Sequence, residues 1–160
     1  MKQLVFYWQG ENLDIPSILV SSIIKSKNND LNIIQISDKS TKKIKGVDKI
    51  LRIEKSENFI KDRIRGYSFI ETEKNKTLFL DADSIILNRL NFDKYNKGNY
   101  LYKRTNSHIF NSKYNSEYPE LAGREIIDTM PFLGGIIMII KEKNFFIELL
   151  ELSQTISKNL

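Results

Sequence analysis

The chain has 160 residues, a hydrophobic content of 41% and no cysteine. That length fits one domain, residues 1–160, around a single core, and the lack of cysteine excludes disulfides, thiolate metal sites and cysteine nucleophiles, which fits a reducing, cytoplasmic setting. A net charge of +5, from 25 basic and 20 acidic residues, favours an anionic partner, but the basic residues are dispersed and their densest clusters, over 39–45 and 94–104, are short, so nucleic acid is not expected.

Residues 3–8 read as a strand, rich in Val and aromatics, closed by the turn Gln9-Gly10-Glu11-Asn12. Gln9, Glu11, Asn12 and Asp14 break the apolar start too early for a signal peptide. Pro16 suits the first turn of a helix, Asp14 is placed to cap it, and Ile15, Ile18, Leu19, Ser22 and Ile23 follow at helical spacing. Residues 31–37 alternate as a second strand, ending at Asp38-Lys39-Ser40, and 49–53 form a short third. A helix is predicted over 58–70, with Phe59, Ile60, Ile64, Tyr67 and Phe69 mostly on one side. A fourth strand over 77–80 runs into Asp81-Ala82-Asp83, and a fifth is expected over 100–104. The polar stretch 106–116 reads as a loop. A sixth strand over 132–140 carries Gly134-Gly135; it is the longest nearly apolar run and far short of a membrane span. A terminal helix over 142–156 has Phe145, Phe146, Leu149, Leu150 and Leu152 as its apolar stripe.

Strands alternating with helices imply right-handed βαβ units and a mostly parallel sheet covered on both faces. Ligands of such sheets sit at the carboxyl ends of the strands. Three predicted strands end there on polar residues: Trp8-Gln9-Gly10, Ser37-Asp38 and Asp81-Ala82-Asp83.

The Asp-x-Asp pair carries the most chemistry. Two carboxylates this close raise each other's pKa unless a cation sits between them, and a hard divalent ion prefers carboxylate oxygens. A lone Asp-x-Asp is more often a solvated strand end; the apolar residues on both sides, Leu78-Phe79-Leu80 and Ile85-Ile86-Leu87, argue against a solvated turn here. Trp8 offers a flat face to a base, or is a core aromatic at a strand end. Asp38 accepts from a base N–H, or caps a turn. Arg63 and Arg65, two apart on a helix, cannot point the same way, so one faces the cleft and the other solvent. Glycines inside an apolar strand lose entropy on ordering, so Gly134-Gly135 marks close approach of a ligand or a bulge.

In this order the residues resemble the nucleotide-binding part of a GT-A-fold glycosyltransferase, over roughly residues 4–146. Tyr7-Trp8-Gln9-Gly10-Glu11 followed by Ile15-Pro16 looks like the opening of bacterial capsular-polysaccharide transferases of families 32 and 8. Ile36-Ser37-Asp38-Lys39-Ser40-Thr41 resembles the end of their second strand, Asp62-Arg63-Ile64-Arg65 the helix before the metal strand, Leu78-Phe79-Leu80-Asp81-Ala82-Asp83 the hallmark Asp-x-Asp, and Phe132-Leu133-Gly134-Gly135-Ile136-Ile137-Met138 the strand beside the donor sugar.

The resemblance implies a Rossmann-like three-layer α/β/α sandwich with a mostly parallel mixed sheet. It implies Mn²⁺ or Mg²⁺ held by Asp83, with Asp81 contacting the ion or gripping the ribose. The donor would be a nucleoside-diphosphate sugar, a UDP-sugar first, touched by Trp8, Gln9, Gly10, Asp38, Arg63, Arg65, Asp81, Ala82, Gly134 and Gly135. The acceptor would be a hydroxyl of a surface glycan, deprotonated by a base for which Glu125 and Asp128 are candidates. The chain ends about one helix after the Gly-Gly strand, where the family usually continues and often supplies a His; the one His here, His108, precedes that strand. A short form, a homo-oligomer, or a nucleotide-sugar-binding domain working with a partner subunit is therefore expected. A phosphatase of the haloacid dehalogenase type also ends an apolar strand on Asp-x-Asp, but Ser84-Ile85-Ile86 follows here instead of Gly-Thr.

Overall fold

In β1 (Lys2–Tyr7), Leu4 and Phe6 pack on one side and Val5 and Tyr7 on the other, and all four are buried. A strand buried on both faces belongs inside a sheet covered from both sides. The computed structural model, which describes residues 1–103 and 132–158, has that form. Its sheet contains β1, β2 (Asn32–Ser37), β3 (Lys49–Arg52), β4 (Lys76–Leu80), β5 (Gly98–Lys103) and β6 (Phe132–Ile140), in the order β3-β2-β1-β4-β6-β5. The pairings β1·β2, β1·β4 and β2·β3 are parallel; β4·β6 and β5·β6 are antiparallel. The mostly parallel mixed sheet expected from the sequence is therefore present.

Helix α1 (Asp14–Lys25) buries Pro16, Leu19, Val20 and Ile23, the last three in a cluster with Leu4, Phe6, Ile33, Leu78 and Met138. The opposite face is covered by α2 (Phe59–Ser68) and α3 (Phe145–Lys158). There the rings of Tyr67, Phe79 and Phe146 meet with centroids 4.8–4.9 Å apart, in tilted and edge-to-face arrangements. Asn144 joins the two helices: its Nδ2 donates to the carbonyls of Tyr67 (2.9 Å), Ser68 (3.3 Å) and Ile70 (2.8 Å), and its Oδ1 accepts from the Phe146 N–H (3.0 Å).

Four local expectations are corrected. Asp14 does not cap α1; Leu13 holds that position without a side-chain cap, and Asp14 lies in the first turn, its N–H donating to Asn12 Oδ1 at 2.9 Å. The stripe of α1 is turned away from Ile15 and Ile18, which are exposed, onto Pro16 and Val20. In α2 the exposed residues include Phe59 and Ile60, while Asp62, Gly66 and Tyr67 are buried, and Phe69 just beyond the helix is exposed too. Gly66 lets α2 lie close on β2, since a Cβ there would come within 2.6 Å of Ile36 Cγ2. In α3, Leu152 is also exposed. Among the described residues no helix is long and apolar enough to cross a membrane.

The topology locates a crevice. From β1 the chain crosses by α1 to β2 and steps outward to β3, then returns by α2 to β4 on the other flank of β1. Strand order thus reverses between β1 and β4, and open α/β sheets bind ligands outside the carboxyl ends of the strands at such a switch point. Both helices run against the strands, so their first turns lie at that same edge.

Candidate functional site

A cleft of ≈ 280 Å³ opens at the switch point, lined by Tyr7 and Trp8 from the end of β1, Ile15 from α1, Phe59 and Arg63 from α2, and Asp81, Ala82 and Asp83 after β4. Parallel pairing of Phe6 with Leu80 sets the ends of β1 and β4 level. Phe59 and Arg63 share one face of α2 because they are four residues apart.

The Asp-x-Asp pair follows directly on the fourth strand, as expected, but in a turn. β4 stops at Leu80, and Asp81–Ser84 form a turn in which the Ser84 N–H donates to the Asp81 carbonyl at 3.1 Å. This corrects the expectation drawn from the flanking apolar residues: Ile85 and Leu87 are exposed, and Ala82 and Ile86 are the ones that pack on the core. Asp83 is exposed, whereas the Asp81 side chain is 40% exposed and held from several directions. Its backbone N–H donates to the Gly135 carbonyl at 2.9 Å. Arg63 Nη1 donates to its Oδ1 at 2.6 Å. Beneath it, the buried Tyr67 hydroxyl donates to the Leu80 carbonyl at 3.2 Å.

Gly135 is the glycine that the carboxylate requires. A Cβ there would lie 1.9 Å from Asp81 Oδ2 and 2.5 Å from its Cγ. On its other side β6 is irregular: Leu101 pairs with Ile137 but Tyr102 with Leu133, so Gly134 and Gly135 fall in a register shift against β5. Of the two reasons offered for these glycines, the irregularity is present, and the group that lies close against Gly135 is the Asp81 side chain of the protein itself.

Trp8 is half buried, packs against the α1-side cluster, and donates from Nε1 to the Asn12 carbonyl at 2.9 Å, so it is both core aromatic and cleft wall. The ring of Tyr7 meets that of Phe59 edge-on with centroids 5.0 Å apart. Burial, then the Asp62 and Asp38 carboxylates, push the Tyr7 hydroxyl up to about 12, keeping it a neutral donor to Gln9 Oε1 at 3.1 Å. Gln9 Nε2 is buried without a partner, alone in this among the buried side-chain polar atoms of the described residues. Gly10, at φ +129°, donates its N–H to Thr41 Oγ1 at 3.0 Å and so ties the β1 turn to the loop after β2.

Six of the residues named from the sequence stand outside the cleft lining: Gln9, Gly10, Asp38, Arg65, Gly134 and Gly135. The Asp38 carboxylate is taken up by its own turn, accepting from the Thr41 N–H (2.8 Å) and the Ser40 hydroxyl (3.1 Å). Burial pushes its pKa up, but these hydrogen bonds, with Lys55 nearby, hold it below the usual carboxylate range. Arg65 is committed to Asp62 at 2.9 Å and to the Glu54 carbonyl, rather than facing open solvent. Gly134 adjoins the site through β6. Glu125, Asp128, His108 and the stretch 106–116 lie outside the described residues. Sequence reasoning missed Tyr7, Ile15 and Phe59 as lining; the i, i+4 spacing of Phe59 and Arg63 was the available signal. Among the described residues Asp81 and Asp83 belong to no group of three or more acids, histidines or cysteines placed to hold a metal.

The sheet order, the helices on both faces and the turn after β4 define a GT-A-like Rossmann fold. Crystal structures of the glycosyltransferase GlyE in Streptococcus pneumoniae TIGR4 share it: one superimposes with a TM-score of 0.55 at 18% identity, covering 100% of this chain and 40% of that one. Its apo form does so at 0.53 and 19%, with the same coverage. This chain thus spans 40% of the length of the solved structures it matches, and at these identities the likeness is one of fold. No protein-family model and no curated protein matches the chain.

Proposed function

We propose that the cleft binds a nucleoside-diphosphate sugar, a UDP-sugar first, and that the protein transfers the sugar to a hydroxyl of a glycan acceptor. The observation that carries this reading is the Arg63–Asp81 contact of 2.6 Å at the β1/β4 switch point, with Asp83 two residues on. A guanidinium beside two carboxylates is the charge pattern that a metal–diphosphate complements. Arg63 offers a fork that matches phosphate oxygens, and the acids offer hard oxygens.

The donor set fits Mg²⁺ or Mn²⁺. Such ions are commonly held by one or two carboxylates, with substrate phosphates and water completing the shell, so no third protein ligand is required. Asp83 and Asp81 would hold the ion, and it would supply charge neutralisation to the departing diphosphate. The walls formed by Tyr7, Trp8 and Phe59 suit a base. Asp38, Gly10 and Arg65 act by fixing the loops that shape this edge. Gly135 leaves room for the Asp81 carboxylate.

In the transfer itself, the acceptor oxygen bonds to the anomeric carbon while the bond from that carbon to the diphosphate oxygen breaks. The electron pair leaves on the diphosphate, and the hydroxyl proton passes to a base, for which Glu125 and Asp128 stay the candidates. Incubating the chain with UDP-, GDP- and CMP-sugars and Mn²⁺, while recording melting temperature and donor hydrolysis, tests the reading. A UDP-sugar is expected to raise the melting temperature only with Mn²⁺. Binding without turnover would mark a nucleotide-sugar-binding domain that needs a partner. No response to any nucleotide sugar, with turnover of a phosphomonoester, would overturn the proposal in favour of a phosphatase.

A further inference from the structure

Asp81 has little freedom to turn away from Arg63. Its N–H is bound to the Gly135 carbonyl, and its Oδ2 occupies the place where a side chain at position 135 would begin. Its Oδ1 is left toward Arg63, whose guanidinium reaches it from the second turn of α2. Among the described residues each is the other's ion-pair partner and has no second one. The guanidinium therefore stands against the oxygen that a divalent ion would need. Two cations cannot share one carboxylate oxygen at such a distance without strong repulsion, so the arginine must leave before an ion arrives. An arginine released into the cleft has lost its counter-charge, and an incoming diphosphate supplies one.

We propose that Arg63 is a counter-ion latch: it neutralises Asp81 in the ligand-free chain and transfers to a donor phosphate when a divalent ion takes Asp81, so that ion and nucleoside diphosphate bind as a cooperative pair and neither binds well alone. This inference rests on reading the cleft as a metal–diphosphate site. The linkage is reciprocal: whatever factor UDP contributes to Mn²⁺ affinity, Mn²⁺ contributes to UDP affinity.

The test measures equilibrium binding on the full chain and needs no turnover. Free Mn²⁺ is followed by electron paramagnetic resonance and UDP by calorimetry, each alone and together, for the wild type, Arg63→Met and Arg63→Lys. Methionine keeps an unbranched stem and removes the charge. Coupling between linked sites is typically about 5–150-fold, so Arg63→Met is expected to bind Mn²⁺ alone at least about fivefold tighter than the wild type, and to lose at least about fivefold of the UDP–Mn²⁺ cooperativity. Arg63→Lys keeps the charge without the fork and is expected to fall between the two; if Arg63→Met does not fold, Arg63→Lys carries the test, with tighter Mn²⁺ binding than wild type. Unchanged or weaker Mn²⁺ binding in the variants, with cooperativity intact, overturns the latch while leaving the cleft reading standing. A wild type that binds neither Mn²⁺ nor UDP, alone or together, overturns both.

Discussion

Gly135 and the Asp81 carboxylate occupy one space: a Cβ on Gly135 would fall 1.9 Å from Asp81 Oδ2, while the Gly135 carbonyl accepts the Asp81 N–H at 2.9 Å. The strand that bears the glycine is antiparallel to β4, with Leu80 opposite Ile136, so the contact is fixed by sheet register. Gly135→Ala is therefore expected to push the carboxylate out of place and break its contact with Arg63. Overpacking of this kind costs about 1–3 kcal/mol, and the loss of Mn²⁺-dependent UDP binding should exceed what the drop in stability explains. Calorimetry and denaturant unfolding on the same variant check both; unaltered binding would show that Asp81 has room to spare.

Phe59 is 47% exposed, and its ring meets the Tyr7 ring edge-on. Phe59→Ala should cost little stability. If the ring forms a wall for the base, UDP affinity falls by roughly 1–3 kcal/mol, the range for loss of one aromatic–base stack. A binding isotherm with unchanged affinity would remove Phe59 from the site.

Asn144 is 4% exposed and serves three carbonyls at the end of α2 and one N–H at the start of α3. Asn144→Ala takes its amide away from these carbonyls, of which Tyr67 keeps the Ile70 N–H at 3.2 Å; the loss is about 1–3 kcal/mol for each group left unsatisfied, before relaxation. Urea unfolding should show a lower midpoint with an unchanged slope. The ring cluster of Tyr67, Phe79 and Phe146 should loosen with it, since Asn144 sets where α3 begins.

Asp38 gives the fold a pH dependence with a definite sign. Burial pushes its pKa up, the hydrogen bonds from Thr41 and Ser40 more than reverse this, and the folded value lies below that of the free side chain. A carboxyl depressed on folding adds stability above its unfolded pKa of about 3.9, and that stability disappears as pH falls through the folded value. The stability gap between wild type and Asp38→Asn should thus be widest near neutrality and close on acidification below about pH 4. A gap that stays constant down to pH 2 would contradict this account.

The sheet was legible because strand periodicity is short and strongly biased. β6 falls on 132–140 as read, and β1, β2 and β4 shift by a residue at their ends. Helix faces were less legible. Gly66 and Asp62 are inward-facing, one for close packing on Ile36 and the other because Ser56 and Arg65 satisfy it, and an apolar stripe encodes neither. In the site, spacing alone does not separate Arg63 from Arg65; the resemblance slightly favours Arg63, and Arg63 is the one that meets Asp81. Asp38 read equally as a ligand-binding acid or as a turn former, and it spends its oxygens on its own turn; local hydrogen bonding of Asp competes with any external use and leaves no pattern that tells the two apart. The role of Gly135 toward Asp81 depends on a contact between residues 54 positions apart in sequence (135 − 81), which no local motif records.

The most direct measurement is UDP binding by calorimetry, with and without Mn²⁺, for the wild type, Asp81→Asn and Asp83→Asn, with melting curves to establish folding. The account predicts Mn²⁺-dependent binding in the wild type and its loss in both folded variants. Undiminished Mn²⁺-dependent binding in both would contradict it.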